Sequence, residues 1–294
     1  MKPADEIEKL LPINLDDLTW WSVLNTIQKA GNQSTFFICR DLLNSDDKSK
    51  KILAALILSK LGSLNDDNSF NQKGPYKEES VELIETELYA STDDEVIDNC
   101  ISSLGLLLCH TDNSKIARLS QFVSSKNSEI RKTLCHALSN KNTVSSINCL
   151  ITLLSDSEEM IREWAAFYLG LSLSASEYPQ EVYPAIISAL LERLTDSDQY
   201  VRVESIRALS YKLKLELREA ISQEIALGDP LDDLFEAIKN TQDTYYIKLL
   251  EKLEEEELEY CDDEADLETS DELWIEQFYE TLTFLKKLKT KKEF

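Results

Sequence analysis

Apolar and polar positions along this chain follow the period of an α-helix. Within residues 155–170, SDSEEMIREWAAFYLG, apolar side chains recur at steps of three and four, namely Ile161, Trp164, Ala165, Tyr168 and Leu169. This spacing places them on one face of a helix. No segment shows a sustained alternation of apolar and polar residues, so no sheet is predicted. The pattern predicts an all-α protein in which Trp164 is part of the core and this helix ends near Gly170.

The same phrase returns forty residues later. Residues 195–210, TDSDQYVRVESIRALS, repeat the opening acids, a β-branched residue before an arginine, and a closing leucine. Weaker copies lie at 125–139, 91–105 and 44–59, where Ile97 and Lys51 replace the arginine of the last two. Self-similarity of this kind indicates a repeat array, which exposes long surfaces for binding.

An apolar helix is predicted before each phrase, for example at 81–89, 115–123, 144–154 and 182–194. A pair of helices with one apolar stripe each buries both stripes only by stacking on the next pair. We therefore predict a right-handed α-solenoid of about seven antiparallel helix pairs. It forms a single domain over 1–294, with an N-terminal cap at 1–43, repeats at 44–240, and a C-terminal pair at 241–294 carrying an acidic insertion at 251–272.

The phrases resemble the HEAT repeat in its short, bilin-lyase-like form. The segments at 162–167, REWAAF, and 201–206, VRVESI, are similar to those of bacterial HEAT-repeat immunity proteins of polymorphic toxin systems. The resemblance implies an interaction protein whose second helices line the binding face. It also implies that Arg131, Arg162 and Arg202 pair with Asp156, Asp196 or nearby acids to bridge adjacent repeats.

The net charge narrows the partner class. The chain has 55 Asp and Glu against 31 Lys and Arg, a net charge of −24, and residues 251–272 carry thirteen of the acids. Such a field opposes binding to nucleic acid and to anionic membrane. A basic protein partner is favoured instead, with association that is faster at low salt.

Several features predict a cytoplasmic location. The longest apolar run, at 52–58, is too short to span a bilayer, and the first residues lack the basic and apolar regions of a signal peptide. Six cysteines are scattered singly, which is typical of a protein that needs no disulfide framework.

Candidate chemistry is sparse. The two histidines each follow a cysteine, at Cys109-His110 and Cys135-His136, and these four side chains are possible zinc ligands. Neighbouring residues on a helix point about 100° apart and the two pairs lie on different helices, so no metal site is predicted. No phosphate-binding loop or nucleophile elbow is present. We predict no catalytic residue, no cofactor and no enzymatic activity.

The partner is expected on second-helix positions that lie off the apolar stripe of the two strongest copies, which are Glu159, Glu163, Phe167, Gln199, Val203 and Arg207. The leading hypothesis is an immunity-type inhibitor that binds a basic toxin domain one to one. The alternatives are a general cytoplasmic HEAT-repeat adaptor and, below it, a bilin lyase or a HEAT-like DNA glycosylase. The partner's identity and the oligomeric state stay open.

Overall fold

The computed structural model describes residues 3–11, 13–14, 16–63, 74–108, 113–139, 143–174, 180–227, 231–258 and 269–292. Contacts divide the chain into two compact units, Met1–Lys141 and Asn142–Phe294, called here the N-terminal and the C-terminal unit. The single continuous domain expected for 1–294 stays a prediction. Residues 259–268 of the acidic insertion lie outside the described residues.

The N-terminal unit consists of helices. They are α1 (Pro3–Glu8), α2 (Leu18–Ala30), α3 (Gln33–Leu43), α4 (Lys48–Leu58), α5 (Lys77–Ala90), α6 (Asp94–Leu107), α7 (Asn113–Leu119), a 3₁₀ turn (Ser120–Ser124) and α8 (Ser128–Leu138). Helix α3 pairs with α4 and α5 with α6, while α8 packs on the 3₁₀ turn that continues α7. The second helices α4, α6 and α8 lie side by side. Trp20, buried in α2, donates a hydrogen bond to the carbonyl of Leu10 at 2.9 Å and so attaches α2 to the preceding segment.

The C-terminal unit repeats this arrangement. Its helices are α9 (Val144–Leu153), α10 (Glu159–Ser174), α11 (Tyr183–Arg193), α12 (Gln199–Ser210), α13 (Arg218–Ala226), α14 (Asp232–Thr241), α15 (Ile247–Leu258) and α16 (Thr269–Lys292). The second helices α10, α12, α14 and α16 again pack in order. Together the described residues form an all-α helical repeat fold without strands, as predicted.

The glycine of the repeat phrase marks a close approach of helices, and the expected end of the helix near Gly170 is wrong. Helix α10 continues to Ser174, and Leu173 is fully buried. A Cβ added to Gly170 would stand 2.9 Å from the Cβ of Ala208 on α12. Gly105 of α6 meets Ala137 of α8 in the same way, at 2.8 Å. Glycine therefore lets neighbouring second helices pack closely at these positions.

The buried face of α10 is shifted to one side of the predicted apolar stripe. It consists of small and aliphatic side chains, namely Ile161, Ala165, Ala166, Leu169 and Leu173. Trp164 and Tyr168 lie at its edge and are partly exposed. The prediction of a core Trp164 is therefore wrong, because the buried face runs through Ala165, Ala166 and Gly170 and the two rings stand beside it.

The arginine of the phrase bridges adjacent repeats, as the resemblance implied. Arg162 donates from Nε and Nη2 to Asp196 at 3.0 and 2.9 Å, and from Nη1 to the carbonyl of Asp156 at 2.9 Å. Arg202 makes the equivalent contacts with Glu224 and the carbonyl of Asp196. Each guanidinium thus joins its own loop to an acid of the following repeat.

The same position is filled differently in the N-terminal unit. Lys51 stands where the phrase has arginine, and its Nζ lies 2.7 Å from Glu87, so a lysine supports the same kind of bridge. Arg131 is buried and donates from Nη1 to the carbonyl of Ser125 at 2.8 Å. Its expected pairing with Asp156 joins residues of different units and stays a prediction.

Candidate functional site

The structure places the six predicted partner-binding residues at different depths. Glu159 on α10 is exposed, and Glu163, Phe167 and Gln199 are partly exposed. Val203 and Arg207 are buried, at 1% and 5% exposure. Helix α12 packs against both α10 and α14, which encloses these two side chains. Their expected position on the open surface is therefore corrected: Val203 belongs to the core and Arg207 lies beneath the surface.

Arg207 is the centre of a polar cluster on the second-helix layer. Its guanidinium carbon lies 5.2 Å from the centre of the Phe167 ring. Its Nε donates to both carboxylate oxygens of Glu204, at 3.2 and 3.1 Å. Its Nη1 donates to the hydroxyl of Tyr211 at 3.2 Å. The guanidinium is thus held by a ring on α10, by Glu204 of its own helix and by Tyr211, which directly follows that helix.

Two further carboxylates come from α14, and the sequence analysis missed both. Asp233 and Glu236 each approach Arg207 to 3.6 Å, and Tyr211 donates a hydrogen bond to Glu236 at 2.8 Å. Both acids are exposed on their outer side. The apolar stripe of α14 could have identified these two acids, because both fall just off its buried face. That face is formed by Leu234, Phe235, Ala237 and Ile238.

We call Glu163, Phe167, Glu204, Arg207, Asp233 and Glu236 the α10–α14 cluster. It sets four carboxylates against one guanidinium. Burial raises the pKa of Glu204 to about 7, and Asp233 and Glu163 add to the rise while Arg207 opposes it. Burial also raises the pKa of Glu163, followed by the charges of Asp198 and Asp233. The negative charge of the cluster is therefore only partly compensated.

An aromatic patch adjoins the cluster on α10. The ring centre of Trp164 lies 5.7 Å from that of Phe167 and 5.8 Å from that of Tyr168. The centres of Phe167 and Tyr168 are 5.3 Å apart. All three side chains are partly exposed. Partly exposed aromatic rings beside uncompensated acids are suited to contact with cationic side chains.

Only one of the two Cys-His pairs considered as zinc ligands lies within the described residues. Cys109 and His110 lie outside the described residues, whereas Cys135 is buried in α8. Burial lowers the pKa of His136, and the charge of Lys132 adds to this effect. Within the described part of the chain, no group of three or more His, Cys, Asp or Glu is arranged to hold a metal ion. None of the described helices is long and apolar enough to cross a membrane.

Comparison with known proteins places the fold among helical repeats. No protein-family model matches the sequence. Protein YibA of Escherichia coli strain K12 is 28% identical over 140 residues, which are 47% of this chain and 48% of YibA. The chain thus spans about half the length of the curated relatives it matches.

Solved structures extend the likeness over more of the chain. The X-ray structure of Escherichia coli YibA superposes with a TM-score of 0.69 at 19% identity, covering 97% of this chain and 93% of that one. An engineered protein reaches a TM-score of 0.50 at 20% identity, over 86% of this chain and 72% of its own. At these identities the likeness shows the fold alone, and that fold is the helical repeat.

Proposed function

We propose that this chain is a protein-binding module that holds a basic protein on the α10–α14 cluster and the adjoining exposed Glu159. The observation that carries the proposal is the cluster itself, where three carboxylates pair with one buried guanidinium and a fourth, that of Glu163, has no ion pair among the described residues. A cationic partner would compensate the remaining negative charge. The rest of the net charge of −24 would speed the encounter at low salt.

The partner that fits the HEAT-immunity resemblance is a toxin domain, and the proposed action is stoichiometric inhibition. The chain would cover the toxin's active site or its path to substrate, without chemistry of its own and in the cytoplasm. A general cytoplasmic adaptor is the second candidate, because the repeat fold serves both roles.

The test begins with capture of partners from the native host on the immobilised full chain. The charges of Glu159 and Glu163 are reversed together to lysine. The matched control reverses Glu192 and Glu219, which lie exposed on the first helices α11 and α13, so that the net charge changes equally. The proposal expects the first variant to associate more slowly and with weaker salt dependence, while the control keeps most of the association rate.

Titration then separates the two candidates. An inhibitor should abolish the activity of a purified toxin domain with saturation near one to one. A captured partner without toxic activity would favour the adaptor. Equal loss of binding in both double variants would show that only the overall charge matters and would remove the α10–α14 cluster from the proposal.

A further inference from the structure

The α10–α14 cluster already contains one bound guanidinium, that of Arg207. Its environment combines three elements: an aromatic face from Phe167, a two-pronged carboxylate contact from Glu204, and a phenolic hydroxyl from Tyr211. A planar guanidinium uses all three, because it stacks on a ring and donates in several directions within its plane. An ammonium group makes only part of these contacts.

Next to this site, the outer part of α10 carries a second carboxylate, that of Glu163, and partly exposed aromatic rings, of which Phe167 also contacts Arg207. Glu163 lies one helical turn before Phe167, beside Trp164. Among the described residues, no Lys, Arg or His forms an ion pair with Glu163, and the charges that act on it are those of Asp198 and Asp233. The rings of Trp164, Phe167 and Tyr168 contact one another and are partly exposed.

We propose that Glu163, with the rings of Trp164 and Phe167, receives an arginine side chain of the basic partner and selects arginine over lysine. This inference rests on the proposed function and adds the chemistry of recognition to it. The partner's guanidinium stacks on an aromatic face while Glu163 accepts its N–H groups, which repeats the contacts of Arg207. Asp233 and Glu236 contribute attraction from α14 without direct contact.

The electrostatics support an additional cation at this place. Burial raises the pKa of Glu163, and neighbouring acids raise it further. A cation bound beside Glu163 favours the ionised carboxylate and offsets both effects. Charge and ring contacts therefore act together on the same ligand.

The experiment compares two probes, acetylated and amidated hexa-arginine and hexa-lysine, titrated calorimetrically into the full chain. Both peptides carry the same charge, so general attraction to an acidic protein is equal for them. We expect hexa-arginine to bind about tenfold more tightly at about 0.15 M salt, since a guanidinium stacks on a ring and donates to a carboxylate at once, whereas an ammonium makes only part of these contacts. Phe167→Leu and Glu163→Gln should each reduce this ratio to near one, whereas Glu192→Gln, on the far layer, should leave it unchanged.

The outcomes distinguish this inference from the proposed function. Equal affinities for the two peptides would overturn arginine selection, and so would an equal loss of the ratio in Glu192→Gln. If the captured partner nevertheless binds and depends on Glu159 and Glu163, the proposed function stands while the inference fails. Thermal unfolding of each variant is followed by circular dichroism. A ratio that falls in Glu163→Gln with an unchanged unfolding midpoint supports the inference even where Phe167→Leu destabilises the fold.

Discussion

Arg207 of α12 lies over the ring of Phe167 of α10, with 5.2 Å between the guanidinium carbon and the ring centre. The contact joins two adjacent second helices at the place where Glu204 accepts hydrogen bonds from the same guanidinium. Because Arg207 is only 5% exposed, its orientation is fixed by packing as well as by charge. The ring and carboxylates offered to a partner are therefore held in position before binding, which lowers the entropic cost of association.

The position of Trp164 at the edge of the core predicts a moderate effect of its removal. Trp164→Ala loses stacking on Tyr168 and an edge contact with Phe167, but opens no enclosed cavity. We expect a loss of about 1–2 kcal/mol in the free energy of unfolding. Phe235→Ala is the comparison, because Phe235 is fully buried against Phe278 and should cost about 3–5 kcal/mol. Urea unfolding of both variants measures the difference, and equal losses would contradict the partly exposed position of Trp164.

Close packing at Gly170 predicts a steric effect that a second substitution relieves. In Gly170→Ala the new Cβ would meet the Cβ of Ala208 at 2.9 Å, so α10 and α12 must separate. We expect a loss of about 1–3 kcal/mol, although alanine favours the helix intrinsically. Ala208→Gly removes the obstructing atom. The double variant should lose less free energy of unfolding than the two single variants lose together. If the losses measured by urea unfolding simply add, no such contact exists.

Much of the fold follows from the sequence because the repeat phrase reports packing directly. The helix pairs seen in the structure were predicted from three features of the sequence. These are the Ile-Arg and Val-Arg positions, the closing leucines and the apolar helix before each phrase. The error at Gly170 has a physical origin, since glycine serves both as a helix terminator and as a close-contact residue. The close contact with Ala208 of the neighbouring helix shows that Gly170 has the second role, and the sequence of α10 alone does not show it.

The site was less predictable than the fold. Helical period identified Glu163 and Phe167 as residues off the core stripe, and both are partly exposed. It also selected Val203, which is buried because α12 has neighbours on several sides. The acids Asp233 and Glu236 approach Arg207 from the next repeat. Which charges meet across repeats depends on how the helices stack. The spacing of residues within one helix does not predict that stacking.

The bridge between Arg162 and Asp196 predicts a measurable loss of stability with a defined dependence on pH. Burial acts to raise the pKa of Asp196, but hydrogen bonds from Arg162 and from the backbone of Asp198 outweigh it, and the pKa is lowered. Asp196→Asn removes the charge while Arg162 stays largely enclosed, so we expect a loss of about 3 kcal/mol near neutral pH. Asp41→Asn, which breaks an exposed pair with Arg40, should change little.

The pH dependence of the Asp196 effect has a single expected direction. A carboxyl whose pKa is lowered on folding stabilises the protein above its unfolded value, 3.8, and loses that contribution as the pH falls below it. The difference between the parent chain and Asp196→Asn should therefore be constant above about pH 5 and narrow below about pH 4. Urea unfolding at a series of pH values measures it, and a gap that widens on acidification would contradict the lowered pKa.

Glu204 predicts the opposite behaviour, because its pKa is raised on folding, to about 7 from 4.5. Burial is the main cause; Arg207 opposes the rise, and Asp233 and Glu163 add to it. Ionisation is then easier in the unfolded chain, so the parent protein loses stability as the pH rises from about 4.5 to about 7 and then levels off.

Glu204→Gln keeps the shape of this side chain without the titration. Its stability relative to the parent should rise over the same interval, and urea unfolding at fixed ionic strength measures the difference. If the parent chain instead gains stability over the variant as the pH rises, the pairing of Glu204 with Arg207 outweighs burial. The α10–α14 cluster would then be compensated internally, and the case for an additional cation would fail.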